Sequence, residues 1–210
     1  MRSSTGRSGD PDTSAPSYQL ILIGTSWGGL GALRTLVTAL PDDFPIPLAI
    51  VQHRHRDSDA MLARFLQGLT GLCVCEVEDK QPVEAGTIYI APANYHLFVE
   101  RGWFALSLDA PVRYSRPSID VAMMSAADAY GHRTVGIVLT GANADGSAGL
   151  RRMADAGGLA VVEDPASAEM PVMPKAALEA VPTARVFTIE RMAEFLRQLP
   201  SVTSPMPGSA

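Results

Sequence analysis

The sequence predicts an open, doubly wound α/β sheet, mostly parallel, with helices on both faces and a β-hairpin insertion. Three patterns carry that prediction: short runs that are apolar at every position, helical periodicity between them, and Gly-rich turns directly after two of the runs. A strand that is apolar on both faces must be covered on both faces, and alternating helices supply the cover.

In chain order, 19–23 (QLILI) reads as a buried strand, followed by a Gly-rich turn and a helix over 30–40. A second strand occupies 48–51 (LAIV) and an amphipathic helix 57–69. Residues 74–77 read as a short strand, and 87–91 with 97–108, broken at Arg101-Gly102, as strands with a hairpin turn near 87–108. A helix over 118–129 starts at Ser118, whose hydroxyl suits an N-cap. The run 135–139 (VGIVL) is another fully apolar strand, with a helix over 146–156 after it. Strands at 159–162 and 185–188 and helices at 175–180 and 191–199 complete the body.

Residues 1–17 and 201–210 are rich in Ser, Gly, Pro and Asp and read as flexible tails around one domain spanning 18–200. Hydrophobic residues are 47% and charged residues 19% of the 210, which suits a globular core. The net charge of -5 argues against nucleic acid or an anionic membrane as partner. The one basic cluster, Arg54, His55 and Arg56, reads as a solvated loop. No secretory h-region and no apolar run long enough to span a bilayer is present, so a cytoplasmic protein without membrane insertion is expected. Cys73 and Cys75 would share one face of a strand, a poor geometry for a disulfide, and no further Cys completes a zinc site. Neither a metal nor an organic cofactor is expected.

Ligands of open α/β sheets sit beyond the carboxyl ends of the strands. Ser26 follows the first strand, within Gly24-Thr25-Ser26-Trp27-Gly28; His53 follows the second; Asp145 stands in the loop after VGIVL. A hydroxyl, an imidazole and a carboxylate at three strand ends are the inventory of a serine hydrolase. The G-x-S-x-G pattern lies between strand and helix, where a nucleophile elbow belongs, and the helix N-terminus behind it offers N–H groups to an oxyanion. The competing explanation is a dinucleotide turn, but the second strand ends on Gln52-His53, without the acidic residue that ribose binding requires.

Among the other histidines, His55 lies in a charged loop, His132 at the opposite edge of the sheet, and His96 opens the hairpin where it would line a substrate groove. Asp145 also suits an N-cap for the helix that follows it. Asp120 is the rival carboxylate, otherwise a first-turn acid answering the helix dipole.

The segments IGTSWGG (23–29), VQH (51–53), YIAPANYH (89–96), RPSID (116–120) and LTGANADG (139–146), with MPVMPKAAL (170–178), occur in the order found in the bacterial chemotaxis protein-glutamate methylesterases. The chain resembles the catalytic domain of that CheB-type family from about residue 20 to 199. The resemblance implies a serine hydrolase that removes methyl groups from glutamate methyl esters and deamidates glutamines on methyl-accepting chemoreceptor-like proteins. Carried over by position, Ser26 is the nucleophile, His53 the base and Asp145 the orienting carboxylate. Backbone N–H groups of Trp27 and Ala142 are the oxyanion candidates, and His96, Arg116 and Ser118 are expected near the cleft. Two residues depart from the family pattern: Trp27 stands where Thr is common, and Ala142 where Met is common. Typical members also carry an N-terminal receiver domain; a short tail stands here, which implies constitutive activity or control by a separate regulatory protein. A catalytically weak interaction module using the same cleft, and a serine esterase with another substrate, remain as rivals.

Overall fold

The computed structural model describes residues 18–55 and 61–199. The expected tails and the beginning of the helix expected at 57–69 lie outside the described residues. Seven strands form one sheet in the order β3-β4-β2-β1-β7-β8-β9, with every pairing parallel. They are β1 (Leu20–Thr25), β2 (Leu48–Gln52), β3 (Cys73–Glu76), β4 (Thr87–Ile90), β7 (Thr134–Val138), β8 (Leu159–Glu163) and β9 (Arg185–Phe187). The remaining two, β5 (His96–Glu100) and β6 (Trp103–Ser107), form a separate antiparallel hairpin. The hairpin is therefore narrower than the sequence suggested: Thr87–Ile90, entirely buried, belongs to the large sheet between β2 and β3.

Period-two alternation on a sheet buried on both sides explains the continuous apolar runs. Leu20 and Leu22 of β1 face one core with α3 (Ile119–Tyr130), α4 (Ser147–Asp155), α5 (Val172–Ala180) and the hairpin. Ile21 and Ile23 face the other with α1 (Gly29–Ala39), α2 (Met61–Gln67) and α6 (Ile189–Arg197). Each face is thus covered by three helices, the doubly wound arrangement that the sequence predicts.

β1 lies between β2 and β7, so the chain winds outward from it in both directions. The crevice created by such a reversal opens at the carboxyl ends of the strands, where Ser26, His53 and Asp145 stand. Among the described residues, no helix is long and apolar enough to cross a membrane.

Candidate active site

The strand register brings the first two residues together. Thr25 pairs with Gln52, and the His53 N–H donates to the Thr25 carbonyl at 3.1 Å, which sets Ser26 beside His53 one step further on. On the other side, the Ser26 N–H donates to the Thr140 carbonyl at 3.0 Å, fixing the Gly-rich turn around Ser26 to the end of β7. Gly28 has φ 79°, a left-handed conformation that glycine adopts without strain, and it carries the chain from the strand into α1. Gly141 makes a close approach: a Cβ there would stand 3.0 Å from Ser26 Cβ and 1.9 Å from Met173 Sδ.

The His53–Asp145 half of the constellation is closed by a 2.8 Å hydrogen bond between Nε2 and Oδ2. An ionised carboxylate at that distance holds the proton on Nε2 and leaves Nδ1 with a free lone pair. This is the reverse of the ring orientation in the chymotrypsin triad, where Nδ1 faces the carboxylate. The Ser26 hydroxyl makes no hydrogen bond to His53 among the described residues; such contacts commonly tighten only when substrate is bound.

Asp145 is 1% exposed, and its carboxylate is saturated with donors. Oδ2 accepts from His53 and from the Ile119 N–H at 2.8 Å. Oδ1 accepts from the Ser118 hydroxyl at 2.9 Å, the Asp120 N–H at 3.0 Å and the Gly146 N–H at 3.1 Å. Burial alone would raise its pKa, but the bonds from His53 and from the Asp120 and Ile119 N–H groups outweigh that and hold the carboxyl below its ordinary value. The sequence suggested Asp145 as N-cap of its own helix; that cap is Gly146, and Asp145 is turned instead onto the N-terminus of α3. An anion is favoured there by unpaired N–H groups and by the helix dipole.

Asp120, the rival carboxylate, makes the reciprocal contact. Its Oδ1 accepts from the Gly146 and Gly149 N–H groups at 2.9 and 2.8 Å, capping the N-terminus of α4. The two helices thereby exchange caps, and the side chain nearest the imidazole is Asp145, not Asp120. Burial raises the Asp120 carboxyl above its ordinary value, and the Asp145 charge adds to the rise.

Ser118 is buried and joins the site through Asp145, while its Oγ also accepts from the Val121 N–H as the predicted N-cap. His96 does not line the groove expected of it: it is 1% exposed, its Nδ1 accepting from the Ser118 N–H and its Nε2 lying 3.2 Å from the Ala110 carbonyl. It buttresses the start of α3 from behind instead of lining a groove. Arg116 does line a cleft of about 480 Å3 with His53, Asn94 and Tyr114. The Trp27 ring is 65% exposed. The N–H groups of Trp27 and Ala142 make no hydrogen bond among the described residues, so both remain available to an oxyanion.

Two supports are absent from the sequence reading. Glu163, 3% exposed at the end of β8, accepts from the Thr140 N–H at 2.7 Å. Thr140 in turn holds the turn that carries Ser26: its carbonyl receives the Ser26 N–H and the Thr25 hydroxyl, and its own hydroxyl donates to the Trp27 carbonyl. The signal in the sequence is positional: Glu163 ends the apolar strand LAVVE, at the same edge of the sheet where Ser26, His53 and Asp145 follow β1, β2 and β7. Among the described residues, no group of three or more His, Cys, Asp or Glu side chains is placed to hold a metal ion.

The model of the CheB methylesterase family matches residues 21–196. The chain belongs to the CheB methylesterase family. The crystal structure of the Thermotoga maritima CheB methylesterase catalytic domain superposes with a TM-score of 0.83 at 31% identity, covering 88% of this chain and 100% of that one. A Leptospira interrogans protein, provisionally named protein-glutamate methylesterase/protein-glutamine glutaminase, is 42% identical over 184 residues, 87% of this chain and 95% of its own. A protein-glutamate methylesterase/protein-glutamine glutaminase of Anaeromyxobacter dehalogenans is 38% identical over 88% of this chain, which spans 54% of its length. The CheB catalytic fold thus accounts for both the parallel sheet and the crevice that holds Ser26, His53 and Asp145.

Proposed function

We propose that the chain is a protein-glutamate methylesterase, and by the same chemistry a protein-glutamine deamidase, acting on the methylated cytoplasmic regions of chemoreceptor-like proteins. The observation that carries this reading is the His53–Asp145 hydrogen bond at the carboxyl edge of the sheet, beside Ser26. Family membership and the names of the relatives support the substrate class.

Ser26 Oγ attacks the γ-carbonyl of the esterified glutamate as His53 Nδ1 takes its proton. Asp145 stabilises the imidazolium and stays ionised itself. The N–H groups of Trp27 and Ala142 receive the tetrahedral oxyanion. Collapse breaks the bond to the methoxy oxygen, His53 protonates the departing methoxide, and methanol leaves. Water, deprotonated by the same imidazole, then splits the acyl-enzyme and regenerates Ser26 with a free glutamate carboxylate. With glutamine in place of the ester, the leaving group is ammonia and the acyl-enzyme is the same.

The test is methanol release from a receptor cytoplasmic fragment methylated in vitro. Release that disappears in Ser26→Ala supports the reading. No release by folded wild-type protein from several methylated receptors would sink it in favour of a binding module or another ester. Control by a separate protein predicts that adding the partner changes this rate.

A further inference from the structure

The cleft beside His53 is bordered by a turn of unusual construction. Val112 and Ser115 exchange backbone hydrogen bonds of 3.1 and 2.8 Å across Arg113 and Tyr114, and these two central residues have φ of 47° and 66°. A hairpin turn with both central residues left-handed ordinarily uses Asn-Gly or similar pairs, because larger side chains are strained there. The Tyr114 ring is fully exposed and contributes nothing to the core. Strain and exposure together at the lip of a catalytic cleft point to a role in contact with substrate.

Arg116 anchors this turn and supplies its charge. Its guanidinium donates to Asn94 Oδ1 through Nε and Nη2 at 3.3 and 2.7 Å, and through Nη1 to the Leu108 and Asp109 carbonyls at 2.8 and 2.9 Å. All of these acceptors are neutral. The guanidinium is thus held in one place, with no carboxylate partner among the described residues, at the wall of the cleft that contains His53. Arg113, exposed at the tip, donates to the neutral Ala144 carbonyl at 3.4 Å. The Arg113 charge already acts on the buried Asp120 carboxyl, pulling its pKa down against the larger effect of burial; a neutral methyl ester has no need of the Arg116 charge. A carboxylate next to it on the substrate does.

We infer that Arg116, with Arg113 and Tyr114 at the turn tip, forms a subsite beside His53 that reads a carboxylate flanking the esterified glutamate, so that acidic substrate segments are preferred. The inference rests on the methylesterase reading above. The flanking carboxylate meets Arg116 first and Arg113 at the solvent edge, while Tyr114 packs against the substrate chain.

The experiment uses two versions of one methylated receptor fragment. The carboxylates within one helical turn of the esterified glutamate are kept in the first and replaced by alanine in the second, because glutamine would itself be a substrate for deamidation. Methanol release reports only the ester. The ratio of kcat/KM between the two versions cancels any general damage to the enzyme. Wild-type protein should favour the acidic version about fivefold at low salt, the upper end for a solvent-touched ion pair, and this preference should shrink as added salt screens it. Arg116→Gln should bring the ratio close to one, Arg116→Lys should restore part of it, and Arg113→Glu should lower it with the change mostly in KM. A wild-type ratio of one, or a ratio unmoved by Arg116→Gln and Arg113→Glu, would overturn the subsite while leaving the esterase reading intact. Failure to hydrolyse either version would instead overturn the esterase reading, and the subsite with it.

Discussion

Replacing Asp145 by Asn exchanges one carboxylate oxygen for an NH2 group in a pocket where every described partner is a donor. With the NH2 at the Oδ2 position, it meets the His53 Nε2 and the Ile119 N–H; at Oδ1, it meets the Ser118 hydroxyl and the Asp120 and Gly146 N–H groups. Facing the imidazole, the NH2 forces Nε2 to accept and moves the ring proton to Nδ1, where it blocks proton uptake from Ser26. A wrong tautomer of this kind costs kcat about 10^4-fold. The alternative rotamer keeps the tautomer but sets the NH2 against two backbone N–H groups, those of Asp120 and Gly146, where the first meets one, which makes it the more expensive choice. In either case a buried N–H group loses its acceptor, at about 1–3 kcal/mol, and α3 loses an anion at its N-terminus, worth up to about 2 kcal/mol in a partly buried setting. A total of roughly 2–4 kcal/mol is tolerable for a domain with typical stability of about 5–15 kcal/mol, and should lower Tm by roughly 5–15 °C. The assay pairs methanol-release kinetics with thermal unfolding, so that lost turnover is measured on folded protein. A folded Asp145→Asn protein with kcat within about tenfold of wild type would refute the tautomer argument.

Other expectations follow from the same contacts. Ser118→Ala removes one donor to Asp145 and the cap of α3, so stability should fall by about 1–3 kcal/mol, with kcat falling far less than in Asp145→Asn; urea unfolding and steady-state rates check both. Glu163→Ala leaves the Thr140 N–H without its acceptor and should be destabilising by about 1–3 kcal/mol, with slower turnover because Thr140 positions Ser26; Glu163→Gln keeps an acceptor oxygen and should retain activity. Burial, first of all, holds the Glu163 carboxyl above its ordinary value of 4.5. The folded state therefore binds that proton more tightly than the unfolded chain, and this contribution is present below 4.5 and lost as pH rises through the folded pKa. Glu163→Gln should accordingly gain on wild type as pH rises, and denaturation across that range that shows no such gain would contradict the burial argument. Asp120→Asn should behave alike from 3.8 upward, since burial raises that carboxyl too and the amide oxygen can still accept from Gly146 and Gly149.

The parallel sheet was legible because its inner strands are apolar on both faces, and a run such as VGIVL admits few other placements. Ser26 and His53 were legible for a local reason: each follows directly on such a strand. The status of Thr87–Ile90 was less so, because a four-residue apolar run beside a hairpin does not declare which sheet it joins. Asp145 and Asp120 each read locally as an acid at the start of a helix. That each caps the helix of the other depends on α3 and α4 packing with their N-termini together, a long-range fact that no local pattern carries. His96 was misplaced for a similar reason: its position at the start of a strand does not reveal that Ser118 and Ala110 close over it.

The most direct test of the account is whether Ser26 and His53 act as one unit. Methanol-release rates would be measured for Ser26→Ala, His53→Ala and the double variant on the same methylated receptor fragment. If His53 serves only to move the proton of Ser26 and of the water that follows, removing either residue removes the whole step, and the three rates should agree within about threefold. Losses that multiply in the double variant would contradict the account, because they would mean that the two side chains contribute to turnover independently.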